Sequence, residues 1–195
     1  LYVHILYCTE LCWFCTCHID KATKDYDLRL KYLETLFMEI DLLKKFLDQN
    51  SLKPNFKEIH LGGGSPTDLK MDDFDRLTEK LGLLVDIKTT DEFSIEVDPR
   101  HTTREMLRHY HENGINRISI GVQDFDPEVQ KAINRIQPIE LVEELMAPEI
   151  VKLFPNGINF DIICGLPHQT NETIRKTAEE CVRLGPDRIC LNYLH

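Results

Sequence analysis

Four cysteines fall within ten residues, Cys8-Thr-Glu-Leu-Cys12-Trp-Phe-Cys15-Thr-Cys17, a CxxxCxxCxC spacing too dense to serve packing alone. Thiolates gathered this closely suit a soft metal centre. A structural zinc site is one alternative, but it draws on two ligand pairs set about a dozen residues apart, and no second CxxC or HxxxH follows. Disulfides are another, yet a CxC pair bridges poorly and the total of seven cysteines is odd. A 4Fe-4S cluster on Cys8, Cys12 and Cys15 fits best, because a tight loop wraps three corners of a cube and leaves the fourth iron open to a ligand.

Further along, Gly62-Gly63-Gly64-Ser65-Pro66-Thr67 offers unhindered backbone. It is not a nucleotide loop: no Lys-Ser/Thr follows, and GxGxxG would need glycine at Thr67. A plain turn is its bland reading. Cys164, Cys181 and Cys190 fall on expected strands or a helix and read as core thiols.

The elements that must position these groups are legible from hydrophobic spacing. Leu30, Leu33, Phe37, Ile40, Leu43 and Phe46 or Leu47 mark one face of a helix over Asp27 to Asn50. Glu58 to Leu61 is a short strand, and Met71 to Leu84 a helix burying Phe74, Leu77, Leu81 and Leu84. Phe93 to Asp98 is a strand, Thr102 to Asn113 a helix stopped by Gly114, and Arg117 to Val122 another strand. Short and longer helices follow over Asp126 to Ile136 and Glu140 to Leu153, with Pro148 kinking or splitting the second. Ile158 to Ile163 is a strand, Thr170 caps a helix ended by Gly185-Pro186, and Arg188 to Tyr193 is the last strand. Six strands alternating with helices imply an α/β fold, a parallel sheet with helices outside.

The strands alternate in polarity, whereas doubly covered parallel strands read as continuous apolar runs. Phe93, Ile95 and Val97 oppose Ser94, Glu96 and Asp98; Ile118, Ile120 and Val122 oppose Ser119, Gly121 and Gln123. Ile158, Phe160 and Ile162 oppose Asn159, Asp161 and Ile163, and Val3 and Ile5 oppose Tyr2 and His4. The apolar face meets the helices. The polar face then lines a curved sheet, where buried carboxylates need partners or a polar ligand. That lining suits a splayed, incomplete barrel holding a large polar cofactor.

A length of 195 residues with 42% hydrophobic content supports one domain with a sizeable core. The formal charge of -10 argues against a nucleic-acid partner. No apolar run approaches the ~18 residues of a membrane span, and reduced-looking cysteines point to the cytoplasm. The chain opens directly on a strand and Ile189 to His195 reads as a strand without its helix, so residues 1–195 are expected to be a core fragment.

CxxxCxxC after a short strand resembles the radical S-adenosylmethionine (SAM) superfamily, and Tyr2-Val-His-Ile followed by CxxxCxxCxC resembles its oxygen-independent coproporphyrinogen III oxidase branch. The resemblance implies a partial barrel of six β/α units. It also implies that the open iron chelates SAM, that one electron cleaves SAM to a deoxyadenosyl radical, and that two propionates of the porphyrinogen become vinyl groups. An electron donor and an acceptor are implied without being identified.

By that resemblance Tyr2, Gly63, Gly64, Ser65 and Glu96 engage SAM. Phe14, Cys17, Gln123, Arg135 and Asp161 contact a second SAM, Leu194 stands at a position that contacts SAM, and Tyr2, Glu96 and Cys17 carry catalytic roles. Read singly, Glu96 is a salt-bridge partner and Arg135 a solvated helix residue. Because CxC places Cys17 on the far side of the Cys15 turn, it is expected outside the cluster's coordination shell. Leu6-Tyr7 departs from the family's Pro-Phe, Ser65 stands for Thr, and Leu194 stands for a small Ala, leaving only its backbone to make that contact. The family's N-terminal segment and C-terminal region are not matched. Two rivals share the core: a radical SAM methyltransferase or haem-degrading relative, and a haem chaperone that looks similar but has no cysteine at the Cys17 position.

Overall fold

The structure, a computed structural model, describes residues 1–21 and 26–194. The chain runs β1 (Tyr2–Ile5), β2 (Tyr7–Cys8), β3 (Asp20–Lys21), α1 (Asp27–Gln49), β4 (Glu58–Gly63), α2 (Met71–Leu81), β5 (Glu92–Val97), α3 (Arg104–Glu112), β6 (Arg117–Gln123), α4 (Pro127–Ala132), α5 (Ile139–Leu145), α6 (Pro148–Val151), β7 (Ile158–Cys164), α7 (Asn171–Leu184) and β8 (Arg188–Tyr193).

Six of the strands form one parallel sheet in the order β1-β4-β5-β6-β7-β8, with β1 and β8 at its two edges, an arrangement consistent with a partial β/α barrel. The apolar halves of the strands build the core: Ile59, Leu61, Phe93, Ile95, Ile118, Ile120 and Phe160 are fully buried. They pack beneath α1 through Leu33, Phe37 and Ile40, beneath α2 through Phe74 and Leu77, and beneath α3 through Leu107 and Tyr110. The opposite halves, among them Ser94, Ser119 and Asn159, are buried too, but among polar neighbours.

Local signals set the element ends. The Thr103 hydroxyl accepts from Met106 N–H and starts α3 two residues later than the apolar spacing suggests. Thr170 and Thr173 close a capping box on α7, which Gly185 ends in the left-handed region. Pro148 splits the expected long helix into α5 and α6, since it has no N–H to continue the ladder. Helix α2 stops at Leu81, although Leu84 remains buried in the turn that follows. On α1, Leu47 joins the core and Phe46 faces solvent.

One expectation fails outright. Cys190 is exposed, because every residue of β8 is exposed and none of the described elements covers that strand. Cys181 is a true core thiol, which burial pushes up to about 12, and Cys164 is half-buried. His195 lies outside the described residues.

Candidate functional site

All six sheet strands point their C-terminal ends the same way, and the first of these ends runs into the cysteine loop. Contacts from several elements hold that loop. The Thr9 hydroxyl donates to the Asp68 carboxylate at 2.7 Å, and Arg29 binds the same carboxylate at 2.7 Å with both side chains only 11% exposed. Trp13 N–H donates to Ile133 O at 3.0 Å, and the Asn134 amide donates to Leu11 O at 2.8 Å. Phe14 packs into a small apolar cluster of Val129, Ile133, Ile163 and Leu166. Cys8, Cys12 and Cys15 are thereby fixed on the rim of one cavity.

Glycine is required at the next strand end for reasons of packing. Gly63 has φ +111°, and a Cβ there would sit 2.7 Å from the His4 ring. At Gly64 a Cβ would meet Tyr7 O at 2.7 Å, where Gly64 N–H already donates to Ile5 O. Missing Cβ atoms thus let this turn lie against β1 and β2. Ser65, 5% exposed, is held by its own N–H on Tyr7 O.

The polar strand faces supply the rest of the cavity wall. Glu96 accepts from Gly63 N–H at 3.2 Å and contacts His60 Nε2 at 3.3 Å, while His60 Nδ1 meets Ser94 Oγ at 2.8 Å. Asp161 accepts from Ser119 Oγ at 2.7 Å and from the Asn159 amide at 2.9 Å. A break in register between Gly121 and Gln123 leaves Gln123 at φ 64°, a left-handed conformation a non-glycine side chain rarely adopts, at the wall of the cavity. Arg135 donates to Gly121 O at 2.9 Å and to Gln137 Oε1 at 3.1 Å.

Cys8, Cys12, Cys15, Phe14, Cys17, Gly63, Gly64, Ser65, Glu96, Gln123, Arg135 and Asp161 all line this cavity. Tyr2 and Leu194 do not. Tyr2 stacks on His60 at 5.8 Å and its hydroxyl meets His4 Nδ1 at 3.2 Å, and His60 in turn contacts Glu96. Leu194 donates its N–H to Cys164 O at 2.9 Å. Cys17 faces the cavity beside Cys15.

Sequence reasoning assigned no role to Asp98, Arg100 or Glu10. Asp98 accepts from Arg100 at 2.7 Å and from Arg135 at 3.2 Å, and Arg100 also binds Glu10 at 3.0 Å. Burial would raise the Asp98 pKa, but the hydrogen bonds from Arg100 and the charges of Arg135 and Arg100 outweigh it and hold the group at about 2. Strand alternation did put Asp98 on the polar face; nothing local pointed Arg100 at the cysteine loop.

Burial pushes the Cys8 thiol up to about 12, with the nearby Cys15 and Cys12 adding to it, and the Cys17 thiol up to about 11, again with Cys15 as neighbour. All seven cysteines are free thiols. Among the described residues no three His, Cys, Asp or Glu side chains converge as they would on a single ion. Cys8, Cys12 and Cys15, on the rim of one cavity, suit a cluster that takes one cysteine sulfur per iron.

Fold and site together define a partial β/α-barrel protein with a cysteine-lined cavity at the strand ends. The chain belongs to the radical SAM superfamily, whose profile matches residues 2–181. Membership implies a 4Fe-4S cluster and SAM. The chain is 41% identical over its whole length to the oxygen-independent coproporphyrinogen III oxidase of Helicobacter pylori strain J99 and 38% identical to that of Bradyrhizobium diazoefficiens, spanning 42% of each. The solved coproporphyrinogen III oxidase HemN of Escherichia coli, a radical SAM enzyme, superposes with a TM-score of 0.88 at 33% identity, over all of this chain and 43% of that one. The radical SAM methyltransferase TsrM of Kitasatospora setae shares the fold at a TM-score of 0.61 and 13% identity, over 98% of this chain and 36% of its own. No helix among the described residues is long and apolar enough to cross a membrane.

Proposed function

We propose that residues 1–195 are one radical SAM core domain of an oxygen-independent coproporphyrinogen III oxidase, acting on the propionates of coproporphyrinogen III. The observation that carries this reading is one cavity in which Cys8, Cys12 and Cys15 face Gly63, Gly64, Glu96 and Asp161. It is supported by 33% to 41% identity to proteins of that name across the whole chain.

In this reading Cys8, Cys12 and Cys15 hold the 4Fe-4S cluster. When bound, the cluster supplies the single electron that cleaves SAM to the radical that starts propionate decarboxylation. Gly63, Gly64 and Ser65 present backbone to the methionyl end of SAM. Glu96, kept in place by Gly63 N–H and His60, accepts hydrogen bonds from its ammonium or hydroxyls. Tyr2 orients Glu96 through His60. Gln123, Arg135 and Asp161, with Phe14 and Cys17, hold a second SAM: a guanidinium suits a carboxylate, and Asp161 suits an ammonium or ribose hydroxyls. The Leu194 backbone is left to make the remaining SAM contact. The partners are the porphyrinogen, an electron donor and an electron acceptor, and the seven free thiols suit the cytoplasm.

The test is anaerobic incubation with coproporphyrinogen III, SAM and a low-potential reductant, followed by product analysis. Vinyl products with release of carbon dioxide support the reading. A methylated product, or haem binding without SAM cleavage, contradicts it.

A further inference from the structure

Two guanidinium groups converge on one cluster cysteine. Arg100 Nη2 lies 3.6 Å from Cys12 Sγ, and Arg135 Nη1 lies 3.5 Å from the same sulfur. Among the described residues neither Cys8 nor Cys15 has such a cationic partner. Arg135 has further partners in Gly121 and Gln137, whereas Arg100 donates, among the described residues, to Asp98, Glu10 and Cys12.

The placement of Arg100 is built rather than incidental. Its Nε and backbone N–H both donate to Asp98 Oδ1 at 3.0 Å and its Nη2 donates to Asp98 Oδ2 at 2.7 Å, a fork that leaves little freedom to the plane of the guanidinium. The side chain is 8% exposed, so its charge is poorly screened by solvent. The Nη2 of that guanidinium also reaches Cys12 Sγ at 3.6 Å.

We propose that Arg100, held by Asp98, is a positioning residue that donates to the Cys12 thiolate and raises the reduction potential of the cluster. This rests on the cluster assignment made above. One electron from a low-potential chemical reductant enters the cluster and adds one negative charge, with no proton required. A fixed cation at the sulfur stabilises that more negative state, and hydrogen bonds to cluster sulfurs are among the determinants of potential. Cys12 becomes electronically distinct from Cys8 and Cys15.

The test uses this chain reconstituted anaerobically with iron and sulfide, as parent, Arg100→Gln and Arg100→Lys, with iron content and a redox titration followed by electron paramagnetic resonance. The Gln variant is expected to keep the parent's iron and to lose at least about tenfold in the one-electron equilibrium, about 59 mV to more negative potential. The Lys variant keeps the charge and should stay near the parent. A Gln variant that loses iron where Lys keeps both iron and potential also supports the proposal. Parental potential in a fully loaded Gln variant overturns it, as does equal loss of iron in both variants, which would make Arg100 a folding residue only. Failure of the parent itself to take up a cluster overturns the cluster assignment instead, so the two failures are distinct.

Discussion

Gly63 donates its backbone N–H to Glu96 Oε2 at 3.2 Å, joining the end of β4 to the end of β5 where the cavity opens. The bond fixes one carboxylate oxygen while the other contacts His60 Nε2 at 3.3 Å, and each oxygen keeps a lone pair with which to accept from a ligand. Glu96→Gln keeps the shape and loses the charge; Glu96→Ala loses both. A hydrogen bond to a charged group contributes about 1.5–3 kcal/mol. SAM affinity of the reconstituted chain, measured by calorimetry, should therefore fall roughly tenfold to a hundredfold in Glu96→Gln. The melting temperature of the variant should stay near the parent's. Unchanged affinity would remove Glu96 from the SAM site.

Asp98 makes stability depend on acid. Its folded pKa, about 2, lies below the unfolded value of about 3.9. The stabilisation is therefore fully present above about pH 4 and is lost as pH falls through 2. A depression of this size corresponds to about 2 kcal/mol. Urea unfolding of the cluster-free chain between pH 2 and pH 5 should show the parent losing about that much more stability than Asp98→Asn. Parallel pH profiles would mean that the Arg100 and Arg135 pairs do not act in solution.

Asp68 ties the cysteine loop to the turn after β4. It accepts from Thr9 and pairs with Arg29 where both charges are largely shielded from solvent. A hydrogen bond to a charged group contributes about 1.5–3 kcal/mol, and Asp68 accepts from both Thr9 and Arg29. Asp68→Ala should unfold at lower urea by roughly that amount, and the residual folded protein should hold less iron than the parent. A variant with parental stability would show that the pair is solvated.

How much of this was legible in sequence follows the physics of each group. The cysteine loop could be read because its spacing is local, and the sheet faces because Phe93, Ile95 and Val97 alternate with Ser94 and Glu96 at the period of a strand. The helix face of α1 could be read as Leu33, Phe37 and Ile40, whereas Phe46 and Leu47 could not be separated, since either satisfies the helical step. The meeting of Arg100 with Cys12 lies 88 residues apart and depends on how a turn aims one long side chain. Cys190 misled for a related reason: an apolar strand pattern states which residues can be covered, and its burial depends on what lies over β8. The glycines of the turn after β4 were read as open to a ligand, yet His4 and the carbonyls of Ile5 and Tyr7 also demand them.

The claim on which the rest depends is that Cys8, Cys12 and Cys15 hold a 4Fe-4S cluster while Cys17 lies outside its coordination shell and serves turnover. Iron and sulfide analysis after anaerobic reconstitution, across the parent and the Cys8→Ala, Cys12→Ala, Cys15→Ala and Cys17→Ser variants, tests it most directly. About four irons and four sulfides are expected in the parent and in Cys17→Ser, and a clear loss in each of the other three. Cys17→Ser should also keep its SAM-dependent spectral change while porphyrinogen turnover, measured in the full-length protein, falls sharply. Parental loading in the three alanine variants, or loss of the cluster in Cys17→Ser, would contradict the account.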